Sequence, residues 1–392
     1  MEEEPQTPAP PSAEGEATPP PRPRRRRKTR LRVKRRDGGV VGLVLTGMGV
    51  ATVIVLAGVT VLGRQLSAPP AFLAAAVAML PYLYLTTALV VFALWSVFPD
   101  RRALPAALAA VIALGAVLWG PSWPARGVTA EGETVRVMSW NLRRLWGGPD
   151  DHGDPFACAV EVIAQSEADV LTLLEVSSDD VQRLERALGM DCTQHAYLST
   201  SGSKQGGLAA CARGDWSVRT GQAQRFVDDQ DWYYVFSEVE HNGVLFNLLA
   251  VHLYPYEYVA KKLRSGVRDL ASGKAEPLQE LGEQGSAIVR GQSDQAAALL
   301  DRVARFEDPT VVAGDFNSTR DASLHAHLRE HLVDGWEQGG EGFGGTVALF
   351  DWLPLRIDYV YASPDLPVVK AELPDAGCSD HRPVLVELDV PN

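Results

Sequence analysis

Charge is nearly missing from residues 37–130, which carry four basic and two acidic side chains, and none between Gly39 and Gly63. That deficit excludes an ordinary solvated surface there. The domain that follows is short of positive charge instead: 131–392 holds 22 basic against 42 acidic side chains, a net charge near −20. A domain so anionic is excluded as a binder of polyphosphate backbones by charge alone, because neutralising phosphates needs clustered Lys and Arg. A nuclease that works through a bound cation is not excluded. Cysteine is scarce as well, with four residues in the chain. No Cys or Ser nucleophile with a partnered base stands out, which favours direct attack by water over a covalent intermediate.

The chain divides into three parts. Residues 1–22 are mostly Pro, Glu, Ala, Thr and Ser without apolar periodicity. Such a segment cannot bury enough surface to offset the entropy of ordering and reads as a disordered tail. Eleven basic residues lie between Arg22 and Arg36, so 1–38 ends as a basic juxtamembrane segment. A membrane domain is expected over 39–120, with about three transmembrane helices at 39–63, 71–98 and 103–119. The first exceeds the roughly 20 residues needed to span a bilayer. The second contains Pro81, where a kink is tolerated within a bundle. The third is short and Ala-rich. The first apolar run begins too far from the N-terminus, and is too long, for a cleavable signal peptide.

The basic flanks put the tail and Arg101-Arg102 in the cytoplasm. Three spans then put the rest of the chain outside, whereas two keep it inside. The positive-inside count does not choose, because both leave the same basic residues on the same side. Seventeen uncharged residues at 103–119 reach the lower limit of a span, so three is the expectation: a multi-pass protein of the cell membrane with an extracytoplasmic catalytic domain. The basic tail serves as a topology signal and could also meet anionic lipid heads.

Residues 131–392 read as one α/β domain. Strand-like runs occur at Val135–Ser139, Val170–Leu174, Gly207–Ala212, Trp232–Val239, Val244–Val251, Thr310–Ala313, Arg356–Tyr361 and Val384–Leu388. Helical spacing occurs at Phe156–Ser166 and Ile288–Phe306. The mixture indicates β-sheets covered by helices. The polar, Gly-containing stretch Glu257–Ala287 reads as an insertion or flexible loop.

Polar residues of an uncommon kind follow the apolar strands: Asn141, Glu175, His252, Asp315 with Asn317, Asp358, and Asp380 with His381. Singly, a carboxylate after a strand is more often a cap or turn residue. Together they suit one reaction. Glu175 and Asp380, with Asn141, offer hard oxygen ligands for Mg2+ or Mn2+. Asp315 can take a proton from an attacking water. His381, oriented by Asp358, can donate to a phosphoryl oxygen. His252 and Asn317 add donors to the phosphate.

These motifs (WN, the strand-end E, GGLAACAR, HL, GDFN, RIDYV and SDHRP) resemble the endonuclease/exonuclease/phosphatase superfamily over about 135–390. The resemblance implies a four-layer α/β sandwich, divalent-metal-dependent phosphoester hydrolysis and the same roles for the same residues. The layout of basic tail, spans and outward domain resembles the membrane-tethered, VanJ-type members associated with teicoplanin resistance. That implies a membrane-anchored phosphohydrolase of lipid-linked phosphate or pyrophosphate in cell-wall synthesis. The alternative is a tethered nuclease or other phosphodiesterase, which the acidic domain disfavours. No protein partner is inferable.

All four cysteines, Cys158, Cys192, Cys211 and Cys378, lie in the domain expected outside, where disulfides persist. Residues 199–205 read as a turn. An antiparallel hairpin about Gly202 would set Cys192 opposite Cys211, within disulfide reach. Two buried thiols are an equal alternative. Cys158 and Cys378 have no evident partner.

Overall fold

The structure is a computed structural model that describes residues 39–119, 127–145, 153–198, 204–228, 232–255, 278–349 and 352–390. The proposed tail over 1–38, residues 199–203 of the expected turn at 199–205 and residues 257–277 of the expected loop lie outside these.

Four helices come first: α1 (Gly39–Gln65), α2 (Ala71–Ala78), α3 (Leu80–Val97) and α4 (Ala103–Trp119). α1 and α3 are long and apolar enough to cross a membrane, and α4 is a shorter apolar helix. The side of α1 that is buried carries Gly42, Thr46, Gly49, Thr60 and Gly63. Small residues there let backbones approach closely, as helices do where lipid supplies no hydrophobic drive. A Cβ on Gly63 would lie 2.3 Å from Val77 of α2, and one on Gly49 3.3 Å from Leu94 of α3. The second expected span, 71–98, is a correction: it is broken at Met79 into α2 and α3. Pro81 has no N–H to donate and its ring crowds the carbonyl four residues back, so the chain restarts with proline in the first turn of α3.

The strands are β1 (Glu133–Asn141), β2 (Val170–Val176), β3 (Met190–Leu198), β4 (Lys204–Arg213), β5 (Ser217–Arg225), β6 (Tyr233–His241) and β7 (Val244–His252). They continue with β8 (Thr310–Asp315), β9 (Val333–Asp334), β10 (Val347–Leu349), β11 (Leu353–Leu355), β12 (Asp358–Ala362), β13 (Val368–Glu372) and β14 (Val384–Val390). Two six-stranded sheets result, ordered β13-β14-β1-β2-β4-β3 and β5-β6-β7-β8-β12-β9, with β10-β11 as a separate pair. Helices α5 (Pro155–Ser166) and α6 (Ser178–Leu188) cover the first sheet. Helices α7 (Leu278–Val303) and α8 (Ser323–Leu328) cover the second, and a short α9 (Gly335–Gly339) follows.

Side-chain alternation builds the middle layer. Val135 and Val137 of β1 face Val311 and Ala313 of β8 and Val360 of β12 across a shared core. Met138 and Trp140 face outward to α5 and α6 instead. The architecture is therefore helix–sheet–sheet–helix, the four-layer sandwich expected. One boundary is corrected. The described residues 278–287 of the expected loop form the opening turns of α7, where tertiary context overrides the low helix propensity of Gly282 and Gly285.

All four cysteines are paired. Cys192 and Cys211 are directly opposed in the β3–β4 ladder and bridged. Cys158 of α5 is bridged to Cys378, 220 residues on, a pairing the sequence did not indicate.

Candidate active site

On four strands the inward face is largely apolar and carries a polar residue of the same parity at one end. On β7 the series Phe246, Leu248, Ala250 runs out at His252; on β8 Val311 and Ala313 run out at Asp315. On β12 Asp358 precedes Val360 and Ala362, and on β1 Asn141 follows Val135 and Val137. Register then makes them neighbours, because His252 and Asp358 both pair with Asp315. The site lies where the inter-sheet core stops.

Glu175 reaches the same place irregularly. In a regular strand it would share the outward parity of Leu171 and Leu173. The register of β2 with β4 shifts between Leu174 and Val176, and Glu175 takes a left-handed φ of 51°. This bulge turns the carboxylate inward. It requires a glycine opposite, since a Cβ on Gly206 would lie 2.5 Å from the Glu175 carbonyl carbon.

Asn141 joins the two sheets. Its Nδ2 donates to Glu175 Oε1 and to Asp315 Oδ2, each at 3.2 Å, while its Oδ1 accepts from the Arg143 amide at 3.0 Å. His252 Nε2 stands 3.7 Å from Asp315 Oδ2 and 3.9 Å from Glu175 Oε1. His381 Nδ1 contacts Asp358 Oδ2 at 2.9 Å, which leaves Nε2 directed at Asp315, 3.9 Å away. Asp315 also accepts from the Asn317 amide at 2.8 Å. Seven of the eight sequence-predicted residues therefore form one connected set.

Two side chains are committed in ways the sequence did not indicate. Asp380 is paired with Arg143 at 3.2 Å, at the rim. Asn317 spends its amide on the Leu253 carbonyl at 3.0 Å and so braces the ends of two strands.

Burial raises the Asp315 carboxyl, and the charge of Asp358 raises it further, to about 6. For His381 burial acts downward, but the Asp358 carboxylate overrides it and lifts the imidazole to about 10. A carboxyl that ionises near neutrality beside an imidazolium is a base and an acid poised together.

Asp315, Asp358 and His381 could also offer ligand atoms within 4.8 Å of one another. The His381–Asp358 hydrogen bond already consumes one nitrogen and one carboxylate of that trio. A hard cation is better matched by the carboxylate of Glu175 beside the side-chain oxygen of Asn141.

Sequence reasoning missed the supports. Ser379 Oγ donates to the Asn141 carbonyl at 2.7 Å and accepts from the His381 amide at 3.1 Å. Trp140 Nε1 donates to the His381 carbonyl at 3.0 Å. Gln292 of α7 donates to the carbonyls of Phe316 and Asn317. Trp140 and Ser379 flank motif residues in WN and SDH, a local signal that could have been used. Gln292 carries none, because its role depends on where α7 docks.

Comparison with known proteins adds the following. A 34% identical segment of 98 residues is shared with a UPF0294 protein of Vibrio cholerae, covering 25% of this chain and 34% of the relative. The chain thus spans about a third of the length of the curated relatives it matches. An endonuclease/exonuclease/phosphatase from Beutenbergia cavernae is 22% identical with a TM-score of 0.49, covering 66% of this chain and 72% of that one. A mannosyl-6-phosphatase from Bacteroides thetaiotaomicron is 17% identical with a TM-score of 0.48, covering 65% of this chain and 99% of that one. The human Nocturnin catalytic domain is 17% identical with a TM-score of 0.47, covering 67% and 97% respectively. The model of the endonuclease/exonuclease/phosphatase family matches residues 138–381, well over half the chain, from the strand that ends in Asn141 to His381. The chain belongs to that family of phosphoester hydrolases, whose enzymes generally use divalent metals.

Proposed function

We propose that this chain is a membrane-tethered phosphohydrolase that uses Mg2+ or Mn2+ and acts outside the cytoplasm on a lipid-linked phosphate or pyrophosphate. The observation that carries the reading is the contact between helix ends and site. Arg64, in the last turn of α1, pairs with the buried Asp321 at 2.7 Å, four residues beyond Asn317. Ser293 of α7 donates to the Ser67 carbonyl at 2.8 Å, and Tyr82 of α3 donates to the Pro354 carbonyl. The far ends differ. Arg101 donates to the Gly39 carbonyl at 3.2 Å, so the start of α1 and the α3–α4 loop share the other side. This geometry favours three crossings with the site opposite the basic tail, a choice that charge counting left open. Large apolar side chains left exposed on α1, such as Val40 at 77% and Ile54 at 67%, support burial in lipid over burial in a soluble core.

When bound, the cation would be held by Glu175 with Asn141 and would supply charge neutralisation at the phosphoryl oxygens. Asp315 takes the proton of a water as its oxygen attacks phosphorus and the bond to the leaving oxygen breaks. His381, kept protonated by Asp358, gives a proton through Nε2 to the oxygen that becomes negative. His252 Nε2 faces the same space and can donate to the phosphate. The layout also supports grouping the chain with VanJ-type members linked to teicoplanin resistance.

The test is hydrolysis by the full chain in vesicles, with a polyprenyl diphosphate and with DNA as competing substrates under Mg2+. Release of phosphate that EDTA abolishes is expected; cleavage of DNA alone would favour the nuclease alternative. An alkaline-phosphatase fusion after Trp123 is expected to be active, and an inactive fusion would overturn the outward placement.

A further inference from the structure

Among the described residues beyond Val128, the large apolar side chains that remain exposed are Trp352 at 72% and Phe343 at 41%. They are not scattered. The ring centroid of Phe343 lies 6.4 Å from that of Tyr82, in the first turn of α3. Trp352 immediately precedes β11, whose Pro354 carbonyl accepts the Tyr82 hydroxyl. Alternation puts Trp352 and Pro354 on one face and buries Leu353 on the other. The apolar face of α3 continues the line: Leu85 and Leu89 are more than half exposed and lie three and seven residues after Tyr82, on the same side of the helix. A strip of exposed apolar groups thus runs from α3 through Tyr82 to the β10–β11 pair.

The inner end of that pair is fastened to the catalytic-type residues. Val347 of β10 forms a bridge with His381, and the Arg382 amide donates to the Thr346 carbonyl at 2.8 Å. The Thr346 hydroxyl accepts from the amides of Ile357 and Asp358 at 3.2 and 3.3 Å. One small element therefore has the exposed Trp352 at its outer end and the His381–Asp358 pair at its inner end.

We propose that the outer face of the β10–β11 pair, with Trp352 and Phe343, docks into the headgroup region of the bilayer that α1 and α3 cross, and so holds the site open toward phosphates at that surface. The proposal rests on the membrane reading above. Trp sits well at such a boundary because its ring is apolar and its N–H can stay wet. The occupant is the lipid surface and not a protein, because the strip is continuous with a helix face already directed at lipid.

The experiment uses the full chain in phospholipid vesicles. The tryptophan emission that Trp352→Phe removes is expected to be quenched when the vesicles carry a shallowly brominated phospholipid; equal emission in brominated and plain vesicles would overturn the proposal. Trp352→Ala is expected to raise KM for a vesicle-borne polyprenyl diphosphate by about tenfold, the order expected for losing a buried aromatic, with kcat retained. Its kcat/KM on soluble p-nitrophenyl phosphate should not change, and Trp352→Phe should restore the vesicle reaction. Equal losses on both substrates would mean a structural role and would also overturn it. If the wild type hydrolyses neither phosphate but the quenching persists, the docking surface stands and the phosphohydrolase reading falls.

Discussion

The two sheets contribute to the same site by different means. The second supplies His252, Asp315 and Asp358 from adjacent regular strands, in register and all buried. The first supplies Asn141 regularly but needs a bulge for Glu175 and a connecting loop for His381. Regular pairing fixes a base and its neighbours without further devices. Bringing the first sheet's groups to meet them takes a glycine and a seryl bridge. The difference separates His252, Asp315 and Asp358, which the ladder places, from Glu175 and His381, which depend on local irregularities.

The largest effect is expected from the regular side. Asp315→Asn should lower kcat by about 10²- to 10⁴-fold, the usual range for a general base, with the melting temperature unchanged or raised because a buried carboxyl is removed. Steady-state turnover of a soluble phosphomonoester, with circular dichroism as the fold control, measures it; a loss below about threefold would reassign the base.

Gly206→Ala attacks the irregular side. The added methyl must displace the Glu175 backbone, so the concentration of Mg2+ needed for half-activation should rise about 10- to 100-fold, as when a ligand loses its orienting support. Activity titrated with Mg2+ reads this. An unchanged midpoint would detach the bulge from the cation.

The pH profile tests how the sheets are coupled. A base must be deprotonated, so kcat/KM should fall as pH drops below the Asp315 value of about 6. An acid must be protonated, so it should fall again as pH rises past the His381 value of about 10. Asp358→Asn removes the charge that lifts His381, and the alkaline limb should move to lower pH while the acid limb moves down as well. A stationary alkaline limb would break the assignment of His381.

Smallest for turnover, though not for stability, is the effect of the disulfides. Loop-closure entropy makes the Cys158–Cys378 bridge, with a separation of 220 residues, worth more than Cys192–Cys211, with a separation of 19. Cys158→Ser should therefore lower unfolding stability by about 2–5 kcal/mol and Cys192→Ser by less, by urea melts of the full chain in detergent. The reverse order would contradict this account.

Local pattern made much of this legible. Strand after strand has an apolar run that ends in a group able to bind phosphate or move a proton, and His252, Asp315 and Asp358 follow from that alternation alone. The apolar, chargeless run from Gly39 is equally plain. Less plain were Met79, where Pro81 divides an apolar stretch that looked continuous, and Asn317, whose amide is taken by the Leu253 carbonyl just past β7. The pairing of Asp380 with Arg143, whose φ is a left-handed 44°, was likewise not legible in the sequence.

By itself the sequence indicated β-sheets covered by helices, eight of the strands and the chargeless helices, because period-2 and helical patterning record which face of each element is buried; the four layers were implied by the family its motifs resemble. Only the tertiary structure decided which groups meet. The inward turn of Glu175, the Cys158–Cys378 bridge, the Arg64–Asp321 pair and the closeness of Tyr82 to the β10–β11 pair all join residues distant in the chain. Such contacts depend on how finished elements dock, and local sequence carries no record of that.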